Sequence, residues 1–353
     1  MATPHFLTIA EQAAAYLRSE LLRGRWSGAM PGMNQIATEL GINAKTAEAA
    51  LLLLEKQKLL QPQGRGKRRR IVLPEDAGTR ALKVTILPYE PVVMTIDYII
   101  EIRHRLQQMG HLVDYAAKDL MQLRMEPKRV AQLVEKTGAD AWIVVAGSHK
   151  VMEWFASQPK PTFALFGRAL DLPLPFAGPR KGPALTEAVG RLVALGHRRI
   201  VLLTREERRK PFPGELERLF LDELKNHGLP VGPYNLPDWQ DSLKGFHQGL
   251  ASLFRHTPPT AIIVSEPTLF LAAQQYLARN GLVAPRDVSM MCLDSDSVFA
   301  WCDPPITHIR WDPQLAVRRV VRWASNIAHG KDDGHKSLIK AEFIEGGTIG
   351  PAP

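Results

Sequence analysis

The chain holds 353 residues with 45% hydrophobic content, room for two or three domains with sizeable cores, which excludes a disordered polypeptide. Its formal net charge is +9, and six of those nine charges fall in residues 1–73, where eleven Lys and Arg face five Asp and Glu. A basic end of this kind points to nucleic acid or another anionic surface, and two cysteines, Cys292 and Cys302, are too few for a disulfide scaffold.

The opening segment "MATPHFLTIAEQAAAYLRSELLRGRW" lacks the cationic start and apolar core of a secretion signal, and no run of about 18 apolar residues follows. A cytoplasmic protein without a membrane span is expected. Within that segment Ile9, Ala13, Tyr16, Leu17, Leu21 and Leu22 fall on one helical stripe that ends at Gly24. A second helix follows in "MNQIATEL", where Ile36, Ala37 and Leu40 share a face. Then comes "GIN": Gly41 suits the positive φ of a helix end, and Asn43 suits the N-cap of the helix beginning at Ala44. Two helices joined by three residues have the spacing of a helix-turn-helix, whose second helix enters the DNA major groove. Beyond it, Leu59 and Leu60 can open a strand, "PQGRG" can turn it and "RRRIVL" can return it, with five cations between Gly64 and Arg70.

From Pro31 through Ile36, Ala37, Leu40, Gly41, Thr46, Ala50, Leu51, Leu54, Glu55 and Leu59 to Gly64 and Gly66, these residues resemble the winged helix of the GntR family. The resemblance spans roughly residues 8–73 and implies a DNA reader with a cationic wing. Asn34, Ala44 and Glu48 stand where that family commonly places arginines against DNA. Direct readout by Arg on guanine is therefore weakened in the second helix, and Glu48 repels phosphate unless it accepts a hydrogen bond. Asn34, Asn43, Lys45 and Thr46 are the expected helix contacts, and Arg65, Gly66, Lys67, Arg68 and Arg69 the wing contacts. A winged helix that has become a protein-contact module is the competing reading.

Residues 74–81, "PEDAGTRA", are polar, contain Pro and Gly, and read as an interdomain linker. Beyond them short apolar runs such as "LKVTILPY", "DAWIVVAG", "PTFALFG", "HRRIVLLT" and "TAIIVS" alternate with helical stretches, the pattern of parallel strands covered on both faces. The expected fold class is α/β: an N-terminal winged helix-turn-helix, then a domain of two doubly wound lobes. The lobes are expected at about residues 82–178 with 295–325, and 179–294 with 326–353.

Four segments, "ADAWIVV", "RLVALGHRRIVLLT", "PTAIIVSEPTLFLAAQQYLARNGLVAPRDVSMMCLDSD" and "PPITHIRWDPQLAVRRVV", resemble the effector domain of the LacI/GalR family, related to periplasmic sugar-binding proteins. A GntR-type reader joined to such a domain is similar in arrangement to the arabinose-responsive repressors. The resemblance implies a homodimer on an inverted-repeat DNA operator, with a sugar or sugar acid closing the lobes. Ser265-Glu266 stands where the family commonly has Asn-Asp, while Asp294 is retained at a strand end. The expected effector set is Tyr89, Ser148, Arg168, Arg205, Trp239, Glu266 and Asp294: carboxylates for hydroxyls, aromatics for stacking, arginines for an acidic group. A degenerate or non-sugar site is the alternative, and a small-molecule binder without DNA activity is a third reading. No nucleotide-binding loop, H-E-x-x-H, C-x-x-C or G-x-S-x-G occurs, and Asp294-Ser295-Asp296 alone is no metal site, so neither an enzyme nor a cofactor is expected.

Overall fold

In the computed structural model, residues 8–22, 25, 26, 28–64, 67–72, 81–210 and 212–353 are described. The N-terminal region opens with α1 (Ile9–Leu22), α2 (Met33–Leu40) and α3 (Ala44–Lys56). Ala13, Ala14, Leu17 and Leu21 of α1 pack with Ile36, Ala37, Ala47, Leu51 and Leu54 in one small core. Ile9 and Tyr16, expected on the buried stripe, are exposed instead, because the face shared with α2 and α3 is centred on Leu17. The expected end at Gly24 lies outside the described residues.

Between α2 and α3, Gly41 takes φ 63° and ψ 30°, a left-handed conformation that glycine adopts without the cost a side chain would add. Asn43 caps α3 by accepting the Thr46 amide at 2.7 Å. Short strands β1 (Leu60–Gln61) and β2 (Arg70–Ile71) then pair antiparallel, with Leu60 opposite Ile71. The other edge of β2 is also used: Ile71 donates to the Gly28 carbonyl at 3.0 Å, and Met30 donates to Arg69 O at 2.8 Å. The returning strand is thus held from both sides. Residues 73–80, most of the expected linker, lie outside the described residues.

The chain divides into two compact units, Met1–Phe176 with Val317–Lys336, and Ala177–Ala316 with Ser337–Pro353. In the first, β3 (Lys83–Leu87), α4 (Asp97–Gln108), β4 (Leu112–Tyr115), α5 (Pro127–Thr137), β5 (Ala141–Val145), α6 (His149–Ala156) and β6 (Thr162–Leu165) follow in order. Their strands run parallel in the order β4-β3-β5-β6. The second contains β7 (Phe176–Arg180, from its second residue), α7 (Gly182–Ala194), β8 (Ile200–Leu203), α8 (Glu206–Arg209), α9 (Glu215–Asn226) and α10 (Leu243–His256). It continues with β9 (Ala261–Val264), α11 (Pro267–Arg279), β10 (Ser289–Cys292) and β11 (Thr307–Trp311). After α12 (Pro313–Ala328), β12 (Lys336–Ile344) pairs antiparallel to β11, completing the order β12-β11-β10-β9-β8. The apolar runs form strands because both their faces are covered: every residue of β5, β6, β8, β9 and β10 is buried.

The expected lobe boundaries are corrected here. Residues 295–316 belong to the second unit, because β11 lies between β10 and β12 in that sheet. Residues 326–336 belong to the first, together with residues 317–325, where Trp323 of α12 meets Phe163 with ring centroids 5.3 Å apart. Strand β7 also escaped the sequence reading, since "FAGPR" carries Gly and Pro inside the run. Among the described residues, no helix is long and apolar enough to cross a membrane.

Candidate functional site

Two groups of side chains carry the expected chemistry. In the N-terminal region, Asn34 and Lys45 are exposed on α2 and α3, and Thr46 is half-buried. Asn43 is exposed; its side-chain oxygen accepts the Thr46 amide in the cap, and its amide nitrogen is the donor it offers a base edge. On the hairpin Lys67, Arg68 and Arg70 are exposed, whereas Arg65 and Gly66 lie outside the described residues.

Arg69 is a correction. It turns inward, its side chain 18% exposed, and its Nε donates to Glu55 while its Nη2 donates to Glu48 at 2.5 Å. Burial works against its charge, and the two carboxylates more than compensate, so its pKa lies above the ordinary arginine value. The guanidinium expected on phosphate is engaged with protein. Glu48, expected either to repel phosphate or to accept from a base, has Arg69 as its partner.

In the first unit the ends of β3, β5 and β6 lie side by side, so Tyr89, Ser148 and Arg168 follow neighbouring strands on one edge. Tyr89 is 7% exposed, which leaves little ring face to stack on a ligand. Ser148 precedes α6 and makes no side-chain cap to it. Arg168 is half-buried, and its amide donates to Gly147 O at 3.0 Å.

In the second unit Arg205, Glu266 and Asp294 follow β8, β9 and β10, three adjacent parallel strands, so the fold gathers them on one edge. Arg205 is 8% exposed and grips Glu266 with two prongs, Nε to Oε1 and Nη2 to Oε2, both at 3.0 Å. Its Nη1 reaches Asp241 at 3.3 Å. Burial pushes the Asp241 carboxyl up, Arg205 pulls it down and Glu266 pushes it up again; the net shift is upward. Asp294 accepts from Lys181 Nζ at 2.7 Å, Trp311 Nε1 at 2.9 Å and the Ser295 amide at 3.0 Å. The expected hydroxyl acceptors are therefore occupied by protein donors.

Sequence reading missed Lys181, Asp241 and Trp311. The signal for Lys181 was a cation directly after the overlooked strand β7, and the signal for Trp311 was its place at the end of the run "THIRW". Nothing local marked Asp241, whose partner Arg205 is 36 residues away.

Trp239 is the second correction. It lies in the core with Val201, Leu203 and Phe246, meeting the Phe246 ring edge-on at 5.0 Å. Arg209 sits over its ring at 5.7 Å and donates to its carbonyl at 3.0 Å. A side chain packed in this way supports the fold and offers no stacking platform. Trp239→Phe is expected to cost about 1 kcal/mol in urea unfolding and to leave ligand affinity unchanged. A changed affinity at full stability would return Trp239 to the binding site.

Residues 189–349 match the family model described as a periplasmic binding protein-like domain. The chain is similar to the HTH-type transcriptional regulator MalR of Streptomyces coelicolor, 26% identical over 238 residues, covering 65% of this chain and 69% of MalR. It is also 27% identical over 187 residues to the HTH-type transcriptional repressor CytR of Escherichia coli, covering 52% and 54% of the two chains. In fold it resembles a LacI family regulator of Enterococcus faecium with bound ribose, with TM-score 0.61 and 17% identity over 77% of this chain and all of that one. The CelR–cellobiose complex gives the same TM-score at 15% identity, over 90% of this chain and all of CelR.

Proposed function

We propose that this chain is a ligand-responsive DNA-binding transcriptional regulator, a repressor of a carbohydrate-use operon, that binds an inverted-repeat operator as a cytoplasmic homodimer. The observation that carries this reading is the conjunction in one chain of a capped helix-turn-helix with a cationic hairpin and a periplasmic-binding-protein-like domain. Helix, three-residue turn, helix and hairpin support a GntR-type winged helix rather than the bare helix-turn-helix. In that reading residues 1–73 form the reader, 74–81 the linker and 82–353 the sensor. Asn34, Lys45 and Thr46 face the groove, while Lys67, Arg68 and Arg70 meet phosphate.

The sensor takes a sugar or sugar acid. The ribose- and cellobiose-bound regulators of similar fold support a small-molecule effector, and MalR and CytR support the regulatory role. Coupling follows from linkage: whatever factor the ligand applies to DNA affinity, DNA applies to ligand affinity. The mutual pairing of Arg205 with Glu266 and Asp241, and of Asp294 with Lys181 and Trp311, favours a second reading of the same sensor, a degenerate or non-sugar site.

The test joins gel shifts on fragments flanking the protein's own coding sequence with a thermal-shift panel of sugars and sugar acids. A ligand at about 100 times its Kd is expected to add roughly 2.7 kcal/mol and to alter the retarded band. No retardation beyond a random duplex would sink the regulator reading. Retardation with no hit among the sugars would favour the second reading of the sensor.

A further inference from the structure

Glu48 and Glu55 lie seven residues apart on α3, two helical turns, and so share one face. Arg69, directly before β2, meets both, its Nε on Glu55 and its Nη2 on Glu48. The side-chain exposures of Arg69 and Glu55 are 18% and 19%, so this contact is partly screened from solvent. Exposure alternates along the returning chain, with Arg68 and Arg70 outward and Arg69 inward, as expected of an extended segment. The backbone of Arg69 is held as well, its carbonyl accepting from Met30. Lysine repeats this contact poorly, because its single nitrogen must come within reach of both carboxylates at once, whereas the rigid arginine fork sends Nε to one and Nη2 to the other.

We propose that Arg69 is a positioning residue and not a phosphate ligand: by bridging Glu48 and Glu55 it braces the cationic hairpin against α3 and masks the acid at Glu48. The proposal rests on the DNA-binding reading above and deepens it by dividing the basic run into a brace, Arg69, and contacts, Lys67, Arg68 and Arg70. It also accounts for an acid in the helix that enters the groove. Glu48 accepts from the hairpin, and its charge is offset before DNA arrives.

The test uses the full-length chain and a labelled mixed-sequence duplex of about 30 base pairs, with affinity followed by anisotropy between about 50 and 200 mM NaCl. Lys67→Gln is expected to flatten the plot of log affinity against log salt by about 0.9, the loss of one phosphate contact. Arg69→Gln is expected to weaken binding severalfold with that slope unchanged. Glu48→Gln with Glu55→Gln releases Arg69 toward phosphate and steepens the slope by up to about 0.9, and adding Arg69→Gln to that pair restores it. A slope lowered by Arg69→Gln alone as much as by Lys67→Gln overturns the proposal.

Amide hydrogen exchange gives a readout independent of DNA. Arg69→Gln and Arg69→Lys are both expected to speed exchange at Met30 and Ile71 by about tenfold, while Lys67→Gln leaves it unchanged. Exchange as slow in both Arg69 variants as in the parent overturns the brace. Should the parent protein bind no duplex at all, the DNA-binding reading falls, and exchange still decides whether Arg69 holds the hairpin.

Discussion

Lys67→Gln, Arg68→Gln and Arg70→Gln together are expected to weaken binding to a mixed-sequence duplex by roughly a hundredfold at 0.15 M salt. The estimate follows from counterion release: each phosphate contact contributes about 0.9 to the slope of log affinity against log salt, so three contribute about 2.7. Extrapolated to 1 M salt the variant and the parent should converge, because the lost term is electrostatic. The choice of residues comes from the fold. A replacement of Lys67, Arg68 and Arg69, the natural choice from the basic run, would remove two exposed cations and one that is braced against α3. Equal slopes for the triple variant and the parent, measured by anisotropy, would show that the hairpin does not touch phosphate.

The second large effect lies in the first unit. Asp333→Asn is expected to destabilise the protein by about 3–5 kcal/mol at neutral pH, measured by urea unfolding, because it leaves a buried cation without its counter-charge. Arg319 and Asp333 have side chains only 5% and 7% exposed and meet through two bonds, of 2.6 and 3.0 Å. Asn326 adds a bond to the same carboxylate at 2.8 Å, and Arg319 lies over the Phe163 ring at 5.3 Å. Burial raises the Asp333 carboxyl, but the bonds from Arg319, Asn326 and the His335 amide outweigh it, so its pKa is held below the ordinary value.

A depressed carboxylate pKa contributes stability that is present above the unfolded value, and that stability is lost as pH falls through the folded one. The gap between parent and variant should therefore be widest near neutrality and close in the acid range below the ordinary pKa of 3.8. A gap that stayed constant all the way through that range would mean the ion pair is not what the substitution removes.

Much of the architecture was legible because its signals are short-range. Gly41 with Asn43 marks the turn and cap of the helix-turn-helix within three residues, and each buried strand is a local run of branched and aliphatic side chains. The gathering of Arg205, Glu266 and Asp294 on one edge was legible too, since parallel strands place their following residues at the same end. Trp239 was not. Beside Pro237 and Asp238 it reads as a loop aromatic that could either pack or stack on a ligand, and only the arrival of Phe246 and the β8 side chains decides for packing.

What the sequence by itself determined, then, is the helix-turn-helix spacing, the cationic hairpin and the parallel α/β series, because backbone conformation, caps and apolar periodicity depend on neighbours a few residues away. Only the tertiary structure decided which charges are spent on protein. Arg69 meets Glu48 across 21 residues, Arg205 meets Glu266 across 61, and Lys181 meets Asp294 across 113. It also decided that the chain returns to the first unit at Val317 and leaves it after Lys336. Those pairings depend on strand order and hairpin register, which bring distant side chains within hydrogen-bond reach and leave no trace in local composition. The basic run therefore reads as uniform in sequence, while in the fold one of its arginines holds the hairpin and its neighbours face solvent.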